Sequence, residues 1–423
     1  MEETKASAQS ATQQPSSYRW VMLGVGFVIQ MASALSIQGI APIGTFIRQD
    51  LNMSLTQFGY IFSLINLGTV LLLTWVGHKC DQGWVRKCFL VGEIVIGIAL
   101  AFAALTHAPW QLLLIMFVAG LGNSVAGPCS AKAVVTWFPG KGRAGAMGIK
   151  QCSIPFGGMV ASAVLPSLAL AYGWRIAFAL DGLVIAIFGI VAAVLYRESD
   201  SMKAMLKASA EKKVAAGPTW KDSKKDLFTR DIIFLVIGGS ILLGCQYCMT
   251  SYMSLYFSDV FKTNGVENPV VWAGLCLTFT NFAGMLGSLS WGSISDHFCG
   301  GRRKGILVGV NIWATLVVLI IAFFSKGASP VGAIIMVVLM GICFNGFSGL
   351  WITFTDELAG IKLAGLATGI CLTGCFIGMI ALPPLFGAVA DHVGYFWAYI
   401  FIAICAAIGI FSMLLVRENK RKD

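Results

Sequence analysis

Residues 77–87 read Gly77-His78-Lys79-Cys80-Asp81-Gln82-Gly83-Trp84-Val85-Arg86-Lys87, and residues 292–304 read Gly292-Ser293-Ile294-Ser295-Asp296-His297-Phe298-Cys299-Gly300-Gly301-Arg302-Arg303-Lys304. Each stretch is a glycine, an aspartate one helical turn later and then a basic run. The glycine lets the end of one helix approach another closely, and the aspartate can meet a neighbouring helix N-terminus or the basic residues of the turn. The copies stand 215 residues apart, so the chain carries an internal repeat. Other correspondences fall at 221: Gly120 over Gly341, residues 145–149 over 366–370, and Gly173 over Gly394.

Both copies follow apolar blocks, and the blocks dominate the chain. Of 423 residues 57% are hydrophobic and 12% charged, which excludes water as the main solvent. A helix needs about twenty residues to cross ~30 Å of hydrocarbon at 1.5 Å per residue. Twelve blocks of that kind are predicted, over 20–42, 57–77, 88–106, 110–134, 144–166, 175–196, 231–257, 270–293, 305–325, 330–352, 364–387 and 395–416. The expected organisation is a disordered tail over 1–18, a six-helix bundle over 19–196, a linker over 197–230, a second bundle over 231–417 and a tail over 418–423. The linker holds nine of the 30 Lys and Arg residues.

The basic residues orient the chain. With the N-terminus in the cytoplasm, Arg48, Arg175, Lys262 and Lys326 fall outside, Lys132 and Lys150 fall within spans, and the remaining 24 lie inside, as positive-inside topology requires. The net charge of +10 then reflects topology beside anionic lipid, and no nucleic-acid partner is expected. Residues 1–17 lack a basic region followed by a short apolar core and cleavage site, so no signal peptide is expected. The twelve cysteines sit in apolar blocks and read as small packing residues. No metal-ligand spacing, P-loop or catalytic motif is found, and the chain is expected to be neither an enzyme nor an ATP-driven pump.

The repeated loop, with Trp137-Phe138-Pro139 before Arg143 and Gly173-Trp174-Arg175, resembles the major facilitator superfamily across residues 19–417. The resemblance extends to bacterial organic-anion and carboxylate permeases. It implies an all-α membrane fold of twelve helices in two pseudo-symmetric six-helix bundles around a central cavity that opens alternately to each side. In that fold spans 1, 4, 7 and 10 line the cavity, spans 2, 5, 8 and 11 form the interface, and spans 3, 6, 9 and 12 face lipid. Gly77, Asp81, Arg86 and Lys87, and Gly292, Asp296, Arg302 and Arg303, are then its gating loops.

A charge at mid-span costs ~2.5–3.5 kcal/mol on insertion scales, so each charged residue needs a partner or a wet cavity. Lys150, with Gln151 beside it, is a candidate point charge for a substrate anion. Its alternatives are snorkelling to the headgroups and pairing with an acid of the other half. Lys132, near the end of span four, is expected to snorkel. Gln30, Ser33 and Gln38 in span one, and the stripe Tyr247, Ser251, Ser254 and Ser258 in span seven, can line a cavity or bond between helices. Asn66, Asn123, Asn281 and Asn345 offer uncharged donors and acceptors. Glu93 and Asp181 are weak candidates for proton coupling, since they lie on lipid-side spans; Glu93 is expected to meet the basic loop at Lys87, and Asp181 to pair with Arg175 or lie near the outer surface.

The function expected is secondary active transport of a small, carboxylate-like organic anion by alternating access, by a monomer in a bacterial inner membrane with both termini cytoplasmic. The partners are the small-molecule substrate and the lipid bilayer; no cofactor is expected, and the driving force is a proton or sodium gradient. An efflux antiporter for hydrophobic or drug-like compounds is the alternative, suggested by Pro155-Phe156-Gly157-Gly158.

Overall fold

The computed structural model describes residues 17–138, 142–198, 229–298, 303–359 and 364–417. Arg302, the side chain of Asp296, the N-terminal tail apart from Ser17 and Tyr18, the tail over 418–423 and linker residues 199–228 lie outside the described residues. The helices are α1 (Tyr18–Gln38), α2 (Ile40–Leu51), α3 (Leu55–Asp81), α4 (Val85–Ala103), α5 (Pro109–Asn123), α6 (Ala126–Val135), α7 (Arg143–Gln151), α8 (Ser153–Tyr172) and α9 (Trp174–Leu195). After the linker come α10 (Arg230–Thr263), α11 (Pro269–Phe298), α12 (Arg303–Phe324), α13 (Pro330–Phe344), α14 (Ser348–Ala359), α15 (Ala364–Val393) and α16 (Tyr395–Leu414). There is no strand among the described residues. In hydrocarbon every backbone N–H and C=O must be paired within the chain, and a helix does this locally.

Among the described residues ten helical stretches are long and apolar enough to cross a membrane. Outside those ten, α4 carries Arg86, Lys87 and Glu93, and α13 has only 15 residues before its continuation as α14. The first stretch was expected to end at residue 42 but runs through α2 to Leu51. Its extra turns lie against α10 and α11, so contact with the other half sustains helix beyond the apolar block.

Several spans are broken, and proline explains three of the breaks. Pro42, Pro128 and Pro155 each occupy the third position of a helix, α2, α6 and α8. Proline has no N–H to give the carbonyl four residues earlier, so the ladder is interrupted at Gln38, Ser124 and Gln151. The α13–α14 break, at residues 345–347, contains Gly346 instead.

Helix ends are set by local chemistry. Ser54 and Gln57 cap α3 reciprocally, the Ser54 Oγ accepting from the Gln57 N–H and the Gln57 Oε1 from the Ser54 N–H, both at 3.1 Å. Gly173 and Gly394, before α9 and α16, have φ of +86° and +92°, values that only glycine adopts without strain. Asn52 and Asn268, preceding α3 and α11, are both left-handed at φ 51° and 52°. The repeat is thus a repeat of backbone conformation.

It is also a repeat of packing. A Cβ on Gly120 would lie 2.2 Å from the Ile65 carbonyl oxygen, and one on Gly341 would lie 2.3 Å from that of Thr280. Ile65 and Thr280 are 215 residues apart and the glycines 221, the same two offsets read along the chain. Helices α1–α9 pack among themselves, as do α10–α16, and the two sets meet mainly where α3 lies along α15 and α8 along α11. Exposed positions on α4, α9, α12 and α16 include Val91, Ile98, Leu183, Ile187, Leu316, Phe323, Ile404 and Phe411, a surface suited to lipid.

Ala substitution at Gly120 or Gly341 puts a methyl carbon onto an immobile carbonyl, so we expect each to destabilise the protein by about 1–3 kcal/mol. Gly148, whose Cβ would meet nothing within 4 Å, is the control. Thermal unfolding in detergent should show a lowered Tm for the first two variants and no loss for Gly148→Ala.

Candidate functional site

One face of the molecule carries Tyr18, the end of α9, the start of α10 and the end of α16. There the Tyr18 hydroxyl donates to the Leu195 carbonyl at 2.6 Å, and the Arg417 N–H to Asp231 Oδ1 at 2.9 Å. We call this the terminal face and its opposite the distal face. The halves are sealed on the distal side. Asp391, near the end of α15, caps the start of α3: its carboxylate accepts from the N–H of Leu55 at 2.9 Å, the N–H of Thr56 at 2.8 Å and the Thr56 hydroxyl at 2.7 Å. An anion at a helix N-terminus is favoured by unpaired N–H groups and by the macrodipole.

Deeper along the same seam, the Tyr252 hydroxyl lies 2.8 Å from both the Leu55 and Pro383 carbonyls, one in each half. Ser63 then donates to the Ile380 carbonyl at 2.5 Å. Across the other seam Ser162 and Thr278 hydroxyls are 2.9 Å apart, and a Cβ on Gly274 would strike the Ser162 carbonyl at 2.7 Å. Toward the terminal face the interface glycines Gly77, Gly145, Gly148 and Gly369 have nothing among the described residues within 4 Å of such a Cβ. Gly77 therefore makes no close contact with another described helix in this conformation.

The floor of the opening mixes polar and apolar side chains. A small cavity of about 20 Å³, room for roughly one water, lies between Gln38, Phe62, Tyr247, Thr250, Ser251 and Leu277. Gln38 donates from Nε2 to the Ile154 carbonyl at 3.1 Å, and Asn281 from Nδ2 to the Leu277 carbonyl at 3.1 Å. Both side chains converge over Gly158, whose Cβ would fall 2.0 Å from Gln38 Oε1 and 2.8 Å from Asn281 Nδ2. Gly158 thus lets an amide from each half meet. Asn66 gives its Nδ2 to the Phe62 carbonyl at 2.8 Å, and the neighbouring Tyr247 hydroxyl makes no well-formed hydrogen bond.

So Gln38, Asn66, Tyr247, Ser251 and Asn281 gather at one place, and the other polar candidates do not. Gln30 accepts from the Ser130 hydroxyl at 3.2 Å, and Asn123 donates to Thr69 Oγ1 at 3.1 Å, both within the first half. Asn345 accepts from Gln246 Nε2 at 3.1 Å within the second. These three tie helices together. Of the α10 stripe, Ser254 and Ser258 are buried beyond the cavity. Thr250 was missed because the spacing that selects Tyr247 and Ser251 skips it; the rotation of α10 exposes Thr250 to the same space.

Lys150 is buried, with no acceptor for its ammonium among the described residues, while Gln151 is exposed. It follows Ala146 by one turn, and Ala146 packs with Leu23 and Val134, which directs this face of α7 toward α1 and α6. The Lys132 ammonium pairs with Asp81 Oδ1 at 2.6 Å, joining α6 to the end of α3. Lys87 lies over the Trp84 ring at 4.9 Å, so it is not the partner of Glu93. Glu93 instead faces inward, where Oε1 accepts from the Ser33 hydroxyl at 2.9 Å. Asp181 is likewise buried and does not pair with Arg175, whose guanidinium takes Asp50 and, at 2.8 Å, the Thr106 carbonyl. Arg303 is buried and engaged by a neighbour.

A helical membrane fold with a polar cleft between repeated halves defines a transport protein. The sequence matches the Major Facilitator Superfamily over residues 26–370 and 268–423, and the chain belongs to that family. It is 26% identical over 403 residues to the hexuronate transporter of Bacillus subtilis (strain 168), covering 91% of this chain and 89% of that one. It is 22% identical over 427 residues to the D-galactonate transporter of Escherichia coli O6:H1, covering 96% and 97%. Among solved structures, the nucleoside transporter NupG superposes with a TM-score of 0.74 at 14% identity, covering 96% of this chain and all 100% of that one. The protein is a multi-pass integral membrane transporter and not an enzyme.

The distal seal should depend on Asp391. Hydrogen bonds to a charged group are worth about 1.5–3 kcal/mol, so in Asp391→Ala the amides of Leu55 and Thr56 should exchange with deuterium at least tenfold faster than in the unmodified protein. Equal protection would show that the seam holds without the cap.

Proposed function

We propose that this chain carries a small organic anion of the sugar-acid or carboxylate type across a bacterial inner membrane by alternating access, as a monomer driven by a proton or sodium gradient. The observation that carries the anion reading is Lys150, a lysine only 4% exposed with no acidic partner among the described residues. A lone charge at that depth is costly, and a substrate carboxylate would offset it. Similarity along nearly the whole chain to transporters of hexuronate and D-galactonate supports the same class. The amides of Gln38 and Asn281, with Tyr247, Thr250 and Ser251, suit the hydroxyl groups of such a molecule, one set from each half.

In this reading the distal seam around Asp391 and Tyr252 is the closed gate, and the terminal face is the open mouth. The Asp81–Lys132 pair, with Arg86 and Lys87, belongs to the loop that moves when the mouth shuts. Gly292, Asp296, Arg302 and Arg303 form the corresponding loop of the second half. The terminal face is cytoplasmic, because it collects the basic residues. Gly157 and Gly158 bring α8 against Met31, Gln38 and Asn281, so their packing supplies no separate support for drug efflux.

Isothermal titration with D-galacturonate and D-galactonate tests the anion site. Lys150→Ala should bind at least tenfold more weakly, since a charge-assisted contact exceeds a neutral one, and Lys150→Arg should also lose affinity through its different shape. Unchanged affinity in Lys150→Met would overturn the assignment. Orientation is tested with an impermeant maleimide on intact cells, in a background lacking the native cysteines. A cysteine at Asn264 should react and one at Ser209 should not, and the reverse pattern would invert the topology.

A further inference from the structure

The first half contains a buried acid that the substrate site does not use. Glu93 on α4 is fully enclosed; Oε1 accepts the Ser33 hydroxyl at 2.9 Å, and Oε2 has no partner among the described residues. Its Cβ and Cγ lie 2.5 and 3.1 Å from where a Cβ on Gly189 would stand, so the lack of a side chain on α9 makes the space this carboxyl occupies. An ionised carboxylate with a bare oxygen in such a place would be strongly destabilised, whereas the neutral acid is tolerated.

No neighbouring cation among the described residues relieves it. Helix α5 has no titratable side chain, and α1 has only Tyr18 and Arg19, at its terminal-face end. On α9, Arg175 is bound to Asp50, and Asp181 is a second acid two turns away from Glu93's neighbour Gly189. On α6, Cys129 meets Cys80 of α3 and Lys132 meets Asp81 of α3, while Arg86, Lys87 and Cys88 lie at the start of α4 itself. The remaining titratable residues of α3 are Tyr60, His78 and Lys79, of which Tyr60 is exposed, His78 bonds Gln82 and Lys79 lies over Trp84.

Resting on the proposed ion-driven transport, we propose that Glu93 is the coupling-proton site, bound through Ser33 within the first bundle and away from the central cleft. A metal cation is disfavoured because a hard ion takes six or more oxygens, and Ser33 supplies the one side-chain oxygen bonded to this acid. The carboxyl carries its proton in the conformation seen here, with the terminal side open and the distal side sealed. Releasing it leaves a carboxylate and passes the proton to water, which requires the pocket between α1, α4 and α9 to open. Ser33 and Gln38 share α1, five residues or about 7.5 Å apart along its axis, so a shift of α1 at Glu93 reaches the substrate cavity. Occupancy by the proton and the shape of the cleft are thereby linked.

Proteoliposomes with labelled D-galacturonate test the coupling. The unmodified protein should accumulate it under a pH gradient, alkaline inside. Glu93→Gln, which mimics the neutral acid, should lose accumulation at least tenfold while exchange of labelled for unlabelled substrate persists; gradient-driven accumulation equal to wild type, or dependence on sodium alone, would overturn the proposal. Infrared spectroscopy of the substrate-free protein at neutral pH reads the site independently of any substrate. It should show a deuterium-sensitive protonated-carboxyl band that shifts in Ser33→Ala, disappears in Glu93→Gln and survives in Asp181→Asn. If galacturonate is not transported but that band behaves so, the substrate reading fails and the proton site stands; absence of the band overturns the site. Should Glu93→Gln fail to fold, an unshifted band in Ser33→Ala likewise overturns it.

Discussion

A backbone carbonyl inside a membrane has no water to turn to, and that constraint organises this protein. Helices satisfy their own carbonyls, so the apolar surface that remains has little preference for another helix over lipid. Association then rests on close packing and on polar contacts. At Gly120 and Gly341 the backbones approach so closely that a methyl group would collide with a carbonyl, and the two collisions are related by the internal repeat. The same rule explains where helices break. Prolines 42, 128 and 155 withhold an N–H from the carbonyls of Gln38, Ser124 and Gln151, and the helices break there.

Polar side chains sort by what they must hold. Those joining helices within one half have partners in that half: Gln30 with Ser130, Asn123 with Thr69, Asn345 with Gln246. Those between halves fall into a sealed distal set, around Asp391 and Tyr252, and an incompletely satisfied set around Gln38, Tyr247 and Asn281. A seam made of a few hydrogen bonds can reopen, since each is worth only about 1–3 kcal/mol net, whereas the glycine contacts inside each half are continuous packing that is lost only by unfolding.

Charges divide by partner as well. Asp81 with Lys132 and Asp50 with Arg175 neutralise each other near opposite faces, each with solvent exposure that keeps the pair weak. Lys150, Glu93 and Asp181 are buried without ion pairs among the described residues. All three lie in the first half, so among the described residues the repeat of backbone is not matched by a repeat of these charges.

The sequence by itself determined the solvent, the helical class, the repeat and its two offsets, because block length, charge content and glycine spacing are one-dimensional properties. Gly173 and Gly394 illustrate this, since a shared place in the repeat carried a shared backbone conformation. Helix ends were less legible: α1 runs on through α2 because the extra turns find a partner in the other half. Which polar residues meet was decided only by tertiary structure. Asn66 and Asn123 look alike along the chain, yet the rotation of their helices sends one to the cavity edge and the other to Thr69. Glu93 looked like the neighbour of a basic loop because Lys87 is close in sequence; α4 turns it instead to Ser33, sixty residues away, where a glycine on α9 leaves room for it. Spacing along a helix fixes an angle relative to its own axis, and only packing fixes what stands at that angle.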